Sequence, residues 1–130
     1  MTNLVSNTGV VASDVSGVGT ARYSPAAAGY GTDKAIFAYG NTSYSSFVSM
    51  SNLVNNSGVV ASDVSGVGTA RSSPSAAGYG SDKAIFAYGY NGSHVSMSNL
   101  INNSGVVAAD VTGVGTARYA AAATGYSFST

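Results

Sequence analysis

The chain has no cysteine and no tryptophan, and it is poor in charge. Without cysteine, disulfides, thiolate catalysis and cysteine-ligated metal sites are excluded. Only 8% of the 130 residues are charged, and five basic groups balance five acidic groups, so the formal net charge is zero. This balance argues against nucleic acid and anionic membranes as partners, because both attract basic surfaces. A surface close to neutral instead favours self-association.

Long apolar runs are also missing. No run approaches the roughly 18 residues that a membrane helix needs. The N-terminal residues lack the charged start and the long apolar core of a signal peptide. The sequence therefore predicts neither a transmembrane segment nor a signal peptide. It does not indicate a compartment, and a virion and the cytoplasm are both compatible with it.

What the chain has in quantity is repetition. The segment GVVASDVSGVGTAR occupies residues 9–22 and again residues 58–71, and its close copy GVVAADVTGVGTAR occupies residues 105–118. A second block, DKAIFAYG, occupies residues 33–40 and residues 82–89. The copies of the first segment begin 49 and 47 residues apart. Repetition with this period predicts one supersecondary unit per repeat, stacked on its neighbours so that they share a core.

Each repeat has the pattern of four short strands separated by Gly, Asn and Ser. In the repeat that begins at Arg22, the β-type runs lie at residues 23–30, 35–39, 44–54 and 59–64. Regularly spaced short runs are typical of an all-β sandwich, barrel or propeller. The second run is apolar at every position, which predicts a strand covered on both faces. Residues 40–43 are predicted to form a loop.

Four strands in a repeat of this length are typical of a propeller blade. Arg22, an Ala-rich first strand, KAIFAYG and two further strands follow an order that resembles a kelch repeat, with Tyr39-Gly40 and Tyr88-Gly89 standing where the kelch glycine pair would be. The tryptophan that is common in the fourth kelch strand is absent. The resemblance is to the near-identical tandem repeats of phage and bacterial proteins, and it implies a binding or structural platform without catalytic residues.

The predicted fold class is therefore all-β, with propeller blades of four antiparallel strands and about three blades per chain. Residues 1–130 are read as one repeat domain. Its predicted parts are a half blade with strands three and four (1–21), a first full blade (22–70), a second full blade (71–117), and a partial blade with strand one and a stub of strand two (118–130).

About three blades cannot close a ring, because propellers have roughly four to eight. An open arrangement would expose apolar faces and unpaired strand edges. We therefore expect the last strand of one chain to complete the half blade of another, so that a two-fold homodimer forms a six-bladed ring. A larger ring of three chains, a longer parent chain, and a single chain that pairs its own ends are the alternatives.

All ten charged side chains occupy repeated positions. Three copies of one acidic–basic pair, eight residues apart, stand at Asp14 and Arg22, Asp63 and Arg71, and Asp110 and Arg118. Catalysis needs a unique arrangement of groups with unequal pKa values. We interpret the copies as structural ion pairs that hold the links between blades. The sequence predicts no catalytic residue, no metal site, no cofactor and no enzyme activity.

The loop between strands two and three is the place where the two full repeats differ in length, and it carries the only histidine. Tyr, Asn, Ser and Gly on a loop are typical of adaptable recognition surfaces. The candidate ligand-binding residues are Tyr44, Phe47, Tyr90, Asn91 and His94.

Two functions follow from this reading. The first is a non-enzymatic structural or interaction module in a virion, a fibre or a surface assembly, or a designed or excised repeat fragment. Its expected partners are further copies of this chain and other virion or surface proteins. The alternative is a lectin-like propeller that binds glycans through its blade loops and gains strength from multivalency.

Overall fold

The computed structural model describes residues 1–127, and every regular element in that range is a β-strand. The strands are β1 (Ala26–Tyr30), β2 (Lys34–Ala38), β3 (Asn41–Ser43), β4 (Ser46–Phe47), β5 (Ser51–Val54), β6 (Ser75–Tyr79), β7 (Lys83–Tyr90) and β8 (His94–Ile101). The described part of the chain contains no helix that is long and apolar enough to cross a membrane.

The eight strands form two equivalent three-stranded sheets and one short hairpin. The first sheet has the order β1-β2-β5 and the second has the order β6-β7-β8, while β3 pairs with β4. Every pairing between these strands is antiparallel. The all-β class with antiparallel sheets is thereby confirmed. We refer to residues 22–70 as unit one and to residues 71–117 as unit two.

A fourth extended segment lies beside each sheet but forms only isolated bridges. In unit one, Val54 pairs with Val60 and Ser51 pairs with Val64. Val60 and Val64 are separated by one more residue than their partners on β5, Val54 and Ser51. The register therefore shifts between the two bridges. The ladder is interrupted at this shift. The predicted fourth strand therefore lies beside the third without becoming a continuous strand.

The second and third strands are linked differently from the prediction. Residues 40–43 were expected to form a loop, but Asn41–Ser43 is β3, and it pairs with β4 rather than preceding one long strand over residues 44–54. Tyr39 and Gly40 have φ values of 64° and 105°, in the left-handed region. This bend turns the chain without ending its pairing, so the hairpin continues beyond it.

The core lies between the two sheets. Seven side chains are buried there: Tyr30, Ile36, Ala38, Tyr39, Ala84, Phe86 and Ile101. Tyr39 of unit one meets Phe86 of unit two edge to face, with ring centroids 5.4 Å apart. The apolar second strands bury alternate residues completely, and the residues between them are half-buried. The second strand was predicted to be covered on both faces. In the structure its cover is complete on one face and partial on the other.

The segment after unit two continues the same arrangement in part. Ala120 N–H donates to the carbonyl of Ser73, at 3.0 Å, just as Ser73 N–H donates to Ser24. Tyr126 forms a parallel bridge with Tyr79. A regular strand over residues 119–126, as predicted, is not formed in this segment. The predicted stub of strand two extends into residues 128–130, which lie outside the described residues.

Candidate functional site

A group of four polar side chains, which we call the clasp, fastens the start of unit one to its third strand. Thr20 donates to Asp63 through its backbone N–H at 2.9 Å and its hydroxyl at 2.7 Å. Asn52 Nδ2 donates to Asp63 Oδ1 at 2.8 Å, and Arg22 Nη2 donates to Asn52 Oδ1 at 2.6 Å. Each member therefore binds at least one other, and the group acts as a network.

Unit two contains the same clasp. Thr69 donates to Asp110 through its N–H at 3.1 Å and its hydroxyl at 2.6 Å. Asn99 Nδ2 donates to Asp110 Oδ1 at 2.9 Å, and Arg71 Nη2 donates to Asn99 Oδ1 at 2.7 Å. Arg71 and Asn99 are both 0% exposed. The same network, part buried and part exposed, is thus formed once in each unit.

The clasp corrects the predicted ion pairs. Arg22 Nη1 lies 3.8 Å from Oδ1 of Asp63, at the far end of the same unit, and not beside Asp14, eight residues earlier. The reason is the path of the arginine across the sheet. Its side chain passes the middle strand, where it reaches the carbonyl of Phe37 at 3.4 Å, and arrives at Asn52 on the third strand. Sequence spacing alone does not reveal this crossing.

Arg71 and Arg118 also pair with tyrosines of the preceding unit. The guanidinium carbon of Arg71 lies 4.0 Å from the ring centroid of Tyr39, and that of Arg118 lies 3.9 Å from the ring centroid of Tyr88. Such a cation–π contact stabilises the charge without a carboxylate. The predicted pair of Asp110 with Arg118 is replaced by this contact, because Asp110 belongs to the clasp of Arg71.

Glycines make room for the clasp. Gly68 has a φ of 75°, and a Cβ atom there would collide with the side chains of Asp110 and Asn99. Gly19 has a φ of 78° and lies against Asp63 in the same way. The second glycine of Gly-Val-Gly in these two copies is thus explained by its close approach to the clasp.

Hydrogen bonding keeps the clasp carboxylates ionised. The hydroxyl of Thr20 and the amide of Asn52 lower the pKa of Asp63. Burial raises the pKa of Asp110, but the hydrogen bonds from Thr69 and Asn99 outweigh burial, and the pKa is lowered overall. A carboxylate with a lowered pKa does not hold a proton at neutral pH, so neither group is suited to general acid catalysis.

Two half clasps are also present. Asn3 Nδ2 donates to Asp14 Oδ1 at 2.7 Å and to Ala12 O at 3.1 Å, in the geometry of Asn52 and Asn99. Within residues 1–127, no threonine or arginine side chain reaches this pair. Conversely, Thr116 and Arg118 occupy the positions of Thr69 and Arg71 and are exposed. The acceptor half of a clasp, Asn3 and Asp14, and the donor half of a clasp, Thr116 and Arg118, therefore occur separately.

A second site, the aromatic pocket, lies where units one and two and the following segment meet. It is a surface cavity of about 520 Å³. The aromatic side chains that line it are Tyr23, Tyr44, Phe47, Tyr90, His94 and Tyr119. Four of the five predicted ligand-binding residues are in this set. The fifth, Asn91, is not among the lining residues; its N–H donates to Ser93 O at 3.2 Å within the turn.

Tyr90 is the centre of the aromatic pocket. Its ring centroid lies 5.8 Å from Phe47 and 5.9 Å from both His94 and Tyr119. His94 stacks on Tyr119 at 4.9 Å, with an angle of 20° between the rings. Cross-strand pairing holds these residues in place, because Tyr90 is opposite His94 in unit two as Asn41 is opposite Phe47 in unit one. The pocket is therefore built on strand ends rather than on a loose loop.

Sequence reasoning missed seven lining residues, of which Tyr23, Asn41 and Tyr119 have the largest side chains. Tyr23 and Tyr119 each follow a repeated arginine, and the register of the two units would have placed them beside the variable hairpin. Asn41 differs from them because its side chain is 5% exposed and its Oδ1 atom accepts no hydrogen bond from the described residues. A buried oxygen of this kind is visible only in the structure.

No cluster of three or more His, Asp or Glu side chains that could hold a metal ion occurs within residues 1–127. No protein-family model matches the chain, and no curated protein matches it either. The function therefore has to be argued from the clasp and the aromatic pocket.

Proposed function

We propose that this chain is a non-enzymatic, kelch-like β-propeller module with a structural or interaction role. In this proposal, units one and two are blades, and further blades join head to tail through the same clasp. The observation that carries the proposal is the recurrence of the clasp, with the same four side-chain types and nearly the same distances in both units. A contact repeated once per unit is how stacked repeat proteins add neighbours.

The packing of the second strands supports further blades on both sides. Ile36 of unit one and Phe86 of unit two are fully buried in the shared core. Their counterparts on the outer faces, Phe37 and Ile85, are only half-buried. Each outer face is thus the equivalent of a face that is buried between the units. Apolar faces of this kind favour burial by a like partner.

The two half clasps support a second copy of the chain as that partner. Asn3 and Asp14 have the acceptor groups of a clasp, and Thr116 and Arg118 have the donor groups. We propose that the donor half of one copy binds the acceptor half of another, in a head-to-tail contact that closes into a ring. A homodimer with six blades is the assembly that we expect, and a larger ring is the alternative.

The native mass of the 130-residue polypeptide in solution tests this proposal. Native mass spectrometry and light scattering should give twice the chain mass of 12.8 kDa. A trimer would require a larger ring, and a monomer at all concentrations would contradict the proposed assembly.

Two variants locate the contact. Asp14→Ala removes the acceptor carboxylate and Arg118→Ala removes the donor, so each should shift the mass towards the monomer. The matched control is Asp33→Ala, which also removes an exposed aspartate but one that pairs only within its own unit, with Lys34 and Asn56. An oligomer that dissociates equally in all three variants would contradict a specific role for the half clasps.

A further inference from the structure

The two units differ most strongly at the aromatic pocket. Clasp and core positions carry the same residue types in both units, apart from Val54 and Ile101. The three changes at matched positions that involve an aromatic side chain are Tyr23 against Ser72, Asn41 against Tyr90, and Phe47 against His94. All six of these residues line the aromatic pocket. Positions that maintain the fold are thus kept alike, while the positions around the pocket are diversified into one composite surface.

The walls of the pocket present aromatic faces to a small ligand. The ring centroid of Tyr90 lies 5.8 Å from that of Phe47 and 5.9 Å from that of Tyr119. Each of these two rings is inclined to the ring of Tyr90. Tyr44 stands beside them and is 95% exposed. Electron-rich ring faces attract polarised C–H groups. A cavity of about 520 Å³ is in the size range of small-molecule sites, roughly 300–1,000 Å³.

An unpaired buried oxygen provides an independent sign of a ligand. Asn41 lines the pocket, its side chain is 5% exposed, and its Oδ1 accepts no hydrogen bond within residues 1–127. The backbone of Asn41 is paired with Tyr23 in both directions, at 2.9 and 3.0 Å. The backbone at Asn41 is therefore held in place, while the side-chain Oδ1 atom has no partner within residues 1–127. Buried polar atoms in folded proteins are normally paired, and this atom calls for an O–H or N–H donor.

The pocket also selects against charge. No aspartate, lysine or arginine lines it; besides Asn41, its polar side-chain groups are the imidazole of His94, the tyrosine hydroxyls and the hydroxyls of Ser24, Ser45 and Ser72. An anionic or cationic ligand would lose its hydration without gaining an ion pair. A neutral ligand with C–H faces for the aromatic rings and hydroxyls for Asn41 and the serines matches all of these features.

We infer that the aromatic pocket binds one pyranose ring of a neutral carbohydrate. The ring packs its C–H face against Tyr90, between Phe47 and Tyr119, and one hydroxyl donates to Asn41 Oδ1 after rotation of the amide brings this buried oxygen to the pocket surface. This site is independent of the proposed assembly, because it is formed within one chain and does not use the half clasps.

Saturation-transfer difference NMR tests this site, with the methyl glycosides of glucose, galactose, mannose and N-acetylglucosamine as probes. An array of neutral oligosaccharides extends the search to longer chains. At least one neutral glycoside should bind, with a dissociation constant on the order of 1 mM for a single ring. No binding by any of the four glycosides and a blank array would overturn the inference. Stronger binding of a sialylated or phosphorylated sugar, or of adenosine, would also overturn it.

Variants that exchange residues between the units make the test specific. Tyr90→Asn places in unit two the residue that unit one has at the same register, so the fold should tolerate it. It should weaken glycoside binding about tenfold, since the central ring is lost. The matched control is Ser62→Ala, another exchange between the units, which lies outside the pocket and should leave binding unchanged. Equal binding by the wild type and Tyr90→Asn would overturn the site.

Asn41→Ala separates a ligand-binding role from a structural one. If Asn41 Oδ1 awaits a ligand hydroxyl, removal of the amide should weaken binding at least about fivefold while the thermal midpoint stays the same or rises. A lower midpoint with unchanged affinity would show that the amide serves the fold, and it would overturn this part of the inference.

Discussion

Unit one and unit two share a clasp and a core but differ at the junction where the aromatic pocket lies. Arg22 and Arg71 occupy the same position and reach the same asparagine, yet their surroundings are unequal. Arg71 Nε donates to Tyr88 O at 2.8 Å and its guanidinium lies on Tyr39. Arg22 Nε has no partner within residues 1–127, and no tyrosine of a preceding unit covers Arg22 there. A unit of this fold is therefore completed by the unit before it.

This difference teaches that stability should not be distributed equally between two nearly identical repeats. Burial and hydrogen bonding depend on neighbours, and the neighbours of unit one differ from those of unit two. Matched substitutions at the same register then measure what the neighbours contribute.

The largest effect is expected for the buried phenylalanine of unit two. Phe86→Ala should lower the free energy of unfolding by about 4 kcal/mol, because the fully buried ring leaves a cavity. Phe37→Ala, at the same position of unit one, should cost about half as much, because Phe37 is half-buried. Urea unfolding, at chain concentrations where the native mass is that of a monomer, measures both. Equal losses would contradict the unequal burial.

The next largest effect is expected for the arginines. Arg71→Ala should cost about 3 kcal/mol, since it leaves Asn99 Oδ1 and the carbonyl oxygens of Tyr88 and Thr69 without their buried donor. Arg118→Ala removes an exposed arginine from Tyr88 and should cost the isolated chain less than about 1 kcal/mol. Thermal and urea unfolding of both variants under the same monomeric conditions give the comparison. A loss for Arg118→Ala as large as that for Arg71→Ala would show that both arginines are buried in solution.

Acid should weaken both clasps. The folded-state pKa values of Asp63 and Asp110 are lowered from 3.8. Their contribution is therefore complete at pH values well above 3.8 and is lost as the pH falls through the lowered values. The expected loss is less than about 1 kcal/mol for each carboxylate, because both are exposed in part. Unfolding measured from pH 6 down to pH 2.5 should be less pH-dependent for Asp63→Asn. An unchanged pH dependence in that variant would contradict the assignment of part of the acid sensitivity to Asp63.

The smallest effect on stability is expected at the aromatic pocket. His94→Phe and Tyr90→Asn each copy the residue of unit one into unit two, so each should change the free energy of unfolding by less than about 1 kcal/mol. Far-UV circular dichroism during thermal unfolding measures the change. A loss comparable to that of Arg71→Ala would mean that the pocket is part of the core and not a ligand site.

Several features could be predicted from the sequence because they depend on local pattern. The repeat period, the all-β class and the turns between the first two strands follow from the spacing of apolar runs and of Gly and Asn. The grouping of Tyr44, Phe47, Tyr90 and His94 as candidates followed from a variable hairpin. The β3–β4 hairpin was missed because its cause is the left-handed conformation of Tyr39, a residue that rarely adopts it.

The sequence by itself determined the repeated unit, the lack of thiol chemistry and the even balance of charge, since these are properties of residue type and order. Only the tertiary structure decided which charges meet. Arg22 binds the network of Asp63 rather than Asp14, because the side chain crosses a neighbouring strand, and distance across a sheet is independent of distance along the chain. The same physical reason applies to the aromatic pocket, where residues as far apart as Tyr23 and Tyr119 come together.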